Sequence, residues 1–286
     1  MALPDDLRMR LADESDLAAL RGLRESVGWS AHDWAMRAVL DPSDARCFVA
    51  TEPGGRIIGV GSGISYGALG FVGNMVVADD HRRRGVGAAI LEEIIQFLDN
   101  ERDCTRLELF ATGDGRPLYA RYGFVLTGPS AMATLPRRAP LAPDGSLELG
   151  EEGNVDAVSS YDAPRFGGDR RRLLAMMAAD QERPLIVARR DGDIAGYAWL
   201  RPDGPRIGPF LADTPAVAST LLAEAFARLP EADELTLNLP SSNTPGSRWL
   251  TELGVTSTPW DGRMARGSEV ERRDDTIYGN LVGALG

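Results

Sequence analysis

The chain has 286 residues, 43% hydrophobic and 26% charged, with a formal net charge of −11. That length predicts two domains of ordinary size or one large one, and the composition is that of a soluble globular protein, not a disordered or fibrous one. The acidic balance repels phosphate backbones, so nucleic acid is excluded as an expected partner.

In chain order, the alternation Leu7, Met9, Leu11 reads as a strand, and Ser15 as the cap of a helix over Asp16–Val27. A short helix over His32–Leu40 follows. Cys47–Thr51 and Ile57–Tyr66 are β-branched runs joined by Glu52-Pro53-Gly54-Gly55, a hairpin signature, and Phe71–Val77 is the next strand. Val86–Asn100, with Ile90, Leu91, Ile94, Ile95 and Leu98 at helical spacing, is the clearest helix of the chain. A strand (Leu107–Phe110), a short helix (Gly115–Arg121) and an extended segment (Phe124–Leu135) close the first half.

Proline, glycine and charge concentrate over Pro136–Gly145, where the periodic pattern stops, which places a domain boundary near Leu141. The same order of elements then returns: helix Gly168–Ala179, hairpin Leu185–Leu200 turning at Asp191-Gly192-Asp193, strand Arg206–Leu211, helix Pro215–Leu229, strand Leu235–Leu239, helix Thr244–Leu253 and an extended stretch from Val255. Tyr122-Gly123-Phe124 aligns with Leu253-Gly254-Val255, and Val86 with Ala216, both at a spacing of about 130 residues. The repeat predicts a tandem duplication of a mixed α/β unit, with domains over 1–140 and 141–286.

Residue types exclude several chemistries. All 31 basic residues are arginine, which closes Schiff-base chemistry and the lysine-dependent phosphate loop. His32, His81, Cys47 and Cys104 fall at no metal-ligand spacing, so no metal is expected, and no G-x-S-x-G string marks a serine hydrolase. A lone pair of cysteines, an acidic start and the lack of a long apolar run predict a cytoplasmic protein without signal peptide or membrane span.

The richest stretch is Met75-Val76-Val77, a turn, then Arg82-Arg83-Arg84-Gly85-Val86-Gly87-Ala88 opening the strong helix. A helix N-terminus offers free N–H groups and a positive dipole end, and Gly85 and Gly87 let a phosphate approach the backbone closely. Three consecutive arginines in so acidic a chain are a local exception that points to a pyrophosphate ligand. Two other readings stand beside it: a solvated charged turn, and the start of a dinucleotide fingerprint whose third glycine position holds Ile90.

This loop resembles that of the GNAT superfamily of N-acetyltransferases: Arg or Gln, two residues, Gly, one residue, then Gly or Ala. The family's later motif resembles Tyr119-Ala120-Arg121-Tyr122-Gly123-Phe124, and the element order from Leu7 to Leu135 agrees with it. The resemblance implies two tandem GNAT-like domains of α/β class with mixed sheets. It also implies acetyl-coenzyme A (acetyl-CoA) as co-substrate, with pyrophosphate on the amides of Arg84 to Ala88 and pantetheine beside Met75, Val76 and Val77. An amine acceptor would attack the thioester directly, a backbone N–H near Val77 would stabilise the oxyanion, and Tyr119 would protonate the leaving thiolate. Thr112 stands where many members carry asparagine, so that contact is not carried over.

The second half shares the order but not the site. Ala212-Asp213-Thr214-Pro215-Ala216-Val217 replaces the glycine loop, and Leu250 falls at the position of Tyr119. It therefore reads as a degenerate copy. For the acceptor, Trp29 and His32 in the loop between the first two helices and Asp162 in the second half are candidates. Glu108, between inward Leu107 and Leu109, reads as facing solvent, and His81 as solvated. The competing function class is a catalytically silent acyl-CoA sensor, against which Tyr119 argues.

Overall fold

The computed structural model describes all residues except 1–2, 30–32, 152–153, 180–184, 202–203 and 282. The chain divides into two compact units: Met1–Val125 with Met264–Val270 and Gly283–Gly286, and Leu126–Arg263 with Glu271–Val282.

Unit 1 runs β1 (Arg8–Leu11), α1 (Leu17–Glu25), α2 (Asp33–Leu40), β2 (Ala45–Thr51), β3 (Ile57–Ser65), β4 (Leu69–Val77), α3 (Val86–Gln96), β5 (Arg106–Ala111) and α4 (Arg116–Arg121). β1 to β4 pair as an antiparallel meander, and β5 lies parallel to β4. A parallel neighbour needs a crossover, and α3 supplies it. Glycine alternates along β3 for a reason visible in the packing. A Cβ on Gly61 would lie 2.5 Å from Ile90 Cγ2, and one on Gly63 would lie 2.8 Å from Ile94 Cγ2, so α3 rests on bare strand backbone. Ile90, Leu91 and Ile94 are thereby fully buried with Val72, Leu107 and Leu109, each such side chain contributing about 1.5–3 kcal/mol of transfer free energy.

The first helix begins differently from the expectation. Asp13, not Ser15, is the cap: its carboxylate accepts from the Ser15 amide at 2.8 Å while Asp16 accepts from the Asp13 amide at 3.0 Å. This reciprocal box closes a 3-10 turn before α1.

Unit 2 contains β6 (Val125–Pro136), β7 (Glu148–Glu151), α5 (Val155–Phe166), α6 (Arg171–Ala178), β8 (Ile186–Arg190), β9 (Asp193–Leu200), β10 (Ile207–Ala212), α7 (Pro215–Arg228), β11 (Glu234–Pro240), α8 (Thr244–Glu252), the start of β12 (Ser257–Gly267) and β13 (Ile277–Gly279). Five strands run in the order β13-β10-β9-β8-β7, while β11 pairs β6. The β8–β9 hairpin turns at Asp191 and Gly192, both at positive φ (52° and 88°), the backbone that a two-residue hairpin turn demands. The single helix expected over Gly168–Ala179 is preceded by a second one, α5. Asn154 caps it by accepting from the Asp156 amide at 3.1 Å, and Gly167 ends it at φ 90°.

The unit division differs from the boundary expected near Leu141. β6 belongs to unit 2 because it pairs residue by residue with β11, from Pro136 opposite Glu234 to Ser130 opposite Pro240. Conversely, Met264 joins the unit 1 core and the Ser268 amide donates to the Thr105 carbonyl at 2.9 Å. Ladders made with distant strands leave no local signature, whereas the proline-rich stretch merely follows the end of β6. Among the described residues no helix is long and apolar enough to cross a membrane.

Candidate active site

Between β4 and α3 the chain makes a 3-10 turn, Asp79–His81, and then enters the helix through Gly85 at φ 90°. Arg83, two residues earlier, is also left-handed at φ 59°, a conformation costing a Cβ-bearing residue about 1–2 kcal/mol. Left-handed residues so placed curl successive amides toward one side, the backbone shape from which anion-accepting concavities are built. No side chain caps α3, and its first turn carries no acid. The first bond into the helix runs from the Ala89 amide to the Gly85 carbonyl at 3.0 Å. The amides of Val86, Gly87 and Ala88 therefore stand at the positive end of the helix dipole without helical acceptors.

The loop is anchored by charge. Arg56 reaches both Glu52 (2.8 Å) and Asp80 (2.7 Å), and His81 lies buried between Asp80 (2.9 Å) and Glu52 (3.2 Å). The hydrogen bonds from His81 and Arg56 hold the Asp80 carboxyl down at about 2. His81 is thus not solvated as expected; it ties the loop to the β2–β3 hairpin. Two of the three arginines also have local partners. Arg82 donates to the Val77 carbonyl at 3.2 Å and pairs with Asp79 at 2.8 Å, and Arg84 pairs with Asp6 at 3.3 Å. Their mutual repulsion is relieved without an anion, so the backbone amides, more than the guanidinium groups, define the nest.

β4 supplies the second element. Its ladder with β5 covers only Leu69–Phe71 against Arg106–Glu108; beyond Phe71 the two strands run on to Val77 and Ala111 without pairing to each other. Met75, Val76 and Val77 therefore make no ladder with β5. The register with β3 shifts between Val60 and Ser62, and Asn74 is left-handed at φ 57°: a bulge sits immediately before Met75. The bulge is braced from α1, where Arg24 donates to Asn74 Oδ1 and Asn74 donates to Ser62 Oγ at 2.9 Å. Sequence reasoning missed Asn74, although a Gly-Asn pair inside an apolar strand is a bulge signal.

α4 supplies the third. Tyr119 is 7% exposed, with its ring edge-on to Phe124 at 6.1 Å. A Cβ on Gly87 would lie 3.5 Å from Val77 Cγ2 and 3.6 Å from Leu118 Cδ2. Loop, strand and the helix of Tyr119 therefore meet within unit 1.

The acceptor candidates fare unevenly. Trp29 is half-buried after α1, with the Arg24 guanidinium 5.5 Å from its ring centre; His32 lies outside the described residues. Asp162 is not open to an amine. It is fully buried in unit 2, accepting from Arg170 Nε and Nη2 at 2.8 Å each and from the Tyr197 hydroxyl. Glu108 does not face solvent either: it is buried and accepts from Arg106 Nε at 3.0 Å.

Unit 2 closes the corresponding helix entrance. Thr214 caps α7 by accepting from the Val217 amide at 3.3 Å, Pro215 removes a donor, and Asp213 binds Arg165 at 2.8 Å and the Tyr161 hydroxyl at 2.9 Å. Leu250, at the position of Tyr119, is core.

Residues 43–126 and 158–279 each match the acetyltransferase (GNAT) domain family. The chain is 31% identical to the mycothiol acetyltransferase of Sanguibacter keddieii, over 68% of this chain and 74% of that protein. It is 25% identical to the uncharacterized N-acetyltransferase YitH of Bacillus subtilis, over 84% and 85%. A solved structure from Pyrococcus horikoshii, described as a candidate acetyltransferase, superposes with a TM-score of 0.81 at 23% identity, covering 100% of this chain and 98% of that one. Taken with the paired domain matches, these likenesses make the chain an enzyme of the GNAT acetyltransferase family that carries two such domains in tandem.

Proposed function

We propose that unit 1 transfers an acetyl group from acetyl-CoA to a primary amine of a small molecule or peptide, by direct attack in a ternary complex. The observation that carries this reading is the uncapped start of α3 beside the stretch of β4 that makes no ladder with β5. An anion nest and an unpaired strand edge are what a pyrophosphate with an extended amide-bearing arm requires. Acetyl-CoA supplies the activated thioester.

The chain's own residues do the rest. The amides from Arg84 to Ala88 take the pyrophosphate, with Gly85 and Gly87 leaving the approach clear of side chains. The edge of Met75, Val76 and Val77 takes the arm, and a backbone N–H near Val77 stabilises negative charge on the carbonyl oxygen during attack. Tyr119 gives its proton to the departing thiolate as the amine nitrogen forms the new amide bond, and the proton shed by that nitrogen returns through water to the phenolate; the role suits a phenol that stays protonated at neutral pH. Unit 2 is a degenerate copy that keeps the fold and has given up the donor site. The buried free thiols of Cys47 and Cys104 support a cytoplasmic setting.

The test is calorimetric titration with acetyl-CoA alongside thiol release in the presence of a panel of primary amines. Binding with amine-dependent thiol release is expected. Binding without release across the panel favours the acyl-CoA sensor, and absence of binding overturns the loop assignment.

A further inference from the structure

Residues Gly283–Gly286 return to unit 1 and lie against β4 at its bulge. A Cβ on Gly73 would fall 2.7 Å from the Ala284 Cα and would drive into the Ala284 carbonyl oxygen. No side chain can stand at position 73 while the segment lies where it does. Immediately after the end of β3, the buried Tyr66 hydroxyl donates to the Leu285 carbonyl at 2.6 Å, and Leu285 is itself fully buried. The segment is thus seated on a glycine and tied by a hydrogen bond.

The face on which it lies follows from strand alternation. Cβ positions of Gly61 and Gly63 point at Ile90, Ile94 and Leu98, the α3 side. Ser62 between them, and Gly73 opposite Ser62, therefore point to the other side, where α1 packs. On the α3 side, the space beside β4 is filled by Val72, Ile90, Ile94 and Leu107. A nucleophile approaching a thioester held along Met75, Val76 and Val77 of β4 must come from the α1 side, and the segment stands on that side.

We propose that Gly283–Gly286 is the acceptor-side wall of the transfer site, with Gly73 as its seat and Tyr66 as its tie, and that it selects compact amines by limiting bulk and shields the thioester from water. The inference rests on the acetyltransferase reading above. Enclosure of this kind is the usual protection of a reactive acyl group against hydrolysis.

Two variants test it, Gly73→Ala and Tyr66→Phe. The first pushes the segment off its seat without demanding a new backbone conformation; the second removes only the tie and remains informative if the first does not fold. The probes are acetyl-CoA alone, with hydrolysis followed by thiol release and affinity by calorimetry, and two primary amines of different bulk, ethanolamine and 2-phenylethylamine. A displaced wall raises amine-free hydrolysis by about threefold or more and shifts the ratio of kcat/KM for the bulky over the compact amine upward, while acetyl-CoA affinity stays within about twofold. Unchanged hydrolysis and an unchanged ratio in the folded variants overturn the wall. So does a loss of acetyl-CoA affinity parallel to a fall in Tm, the mark of a purely structural role. Wild-type protein that binds no acetyl-CoA overturns the transferase reading together with the wall, which separates the two failures.

Discussion

The Asp213 carboxylate meets the Arg165 guanidinium at 2.8 Å at the entrance of α7, so an internal ion pair fills in unit 2 the place that glycine leaves open in unit 1. A carboxylate there repels phosphate, and Thr214 and Pro215 leave few amides to offer. Calorimetry should therefore give one acetyl-CoA per chain. Gly87→Val should weaken binding by about tenfold or more, near 1.4 kcal/mol, whereas Gly87→Ala, whose Cβ meets only ordinary contacts, should fold as the wild type does. Arg165→Ala should leave donor affinity unchanged. Two sites per chain, or retained affinity in Gly87→Val, would contradict the assignment of the donor to the α3 loop.

Tyr119 packs edge-on against Phe124, and phenylalanine preserves that ring while removing the hydroxyl. If the hydroxyl protonates the leaving thiolate, Tyr119→Phe should lower kcat by about 10²- to 10⁴-fold. Acetyl-CoA affinity by calorimetry should hold. Steady-state kinetics over a range of pH is the measurement, and turnover equal to wild type would remove Tyr119 from the mechanism.

What could be read from the sequence is what is local. α3 announces itself by apolar spacing within one helix, and Gly85 and Gly87 stand within the same few residues as the strand they follow. Two family matches, one after the other along the chain, agree with the tandem order that the repeat predicts. Elements held by distant partners were illegible. β6 joins β11 through a ladder closed a hundred residues later, and the bulge at Asn74 depends on Arg24, fifty residues upstream. Asp162 shows the same limit: a polar residue amid aromatic neighbours reads as a site, and only the arrival of Arg170 and Tyr197 makes it core.

That buried triad gives a prediction about stability alone. Asp162 and Arg170 are both buried and bidentate, and the Arg170 guanidinium stacks 4.0 Å from the Phe166 ring centre. Removing the carboxylate strips the buried Arg170 guanidinium of its bidentate partner, and breaking a buried pair in this way costs about 3–5 kcal/mol. Asp162→Ala should show that loss in chemical denaturation, with acetyl-CoA affinity unaltered. Full stability combined with a raised KM for an amine would instead return Asp162 to the acceptor site.

The two cysteines connect stability to the assay itself. Burial pushes the Cys47 thiol up from 9.0 to about 12 and raises Cys104 as well. Since the thiolate is the reactive form, neither should consume a disulfide reagent in the native protein at pH 8. Thiol release then reports coenzyme A alone, and both cysteines should react once guanidinium unfolds the chain. The same shifts fix the sign of the alkaline response. An unfolded thiol ionises near 9 while folded Cys47 stays protonated to about 12, so the native state holds the proton more tightly. Its stabilising effect is complete below pH 9 and is lost progressively as pH rises toward 12. Urea midpoints measured from pH 8 to 11 should fall with rising pH, and Cys47→Ala should flatten that decline while creating its own cavity cost at every pH. A decline that persists unchanged in Cys47→Ala would assign the alkaline sensitivity to other groups.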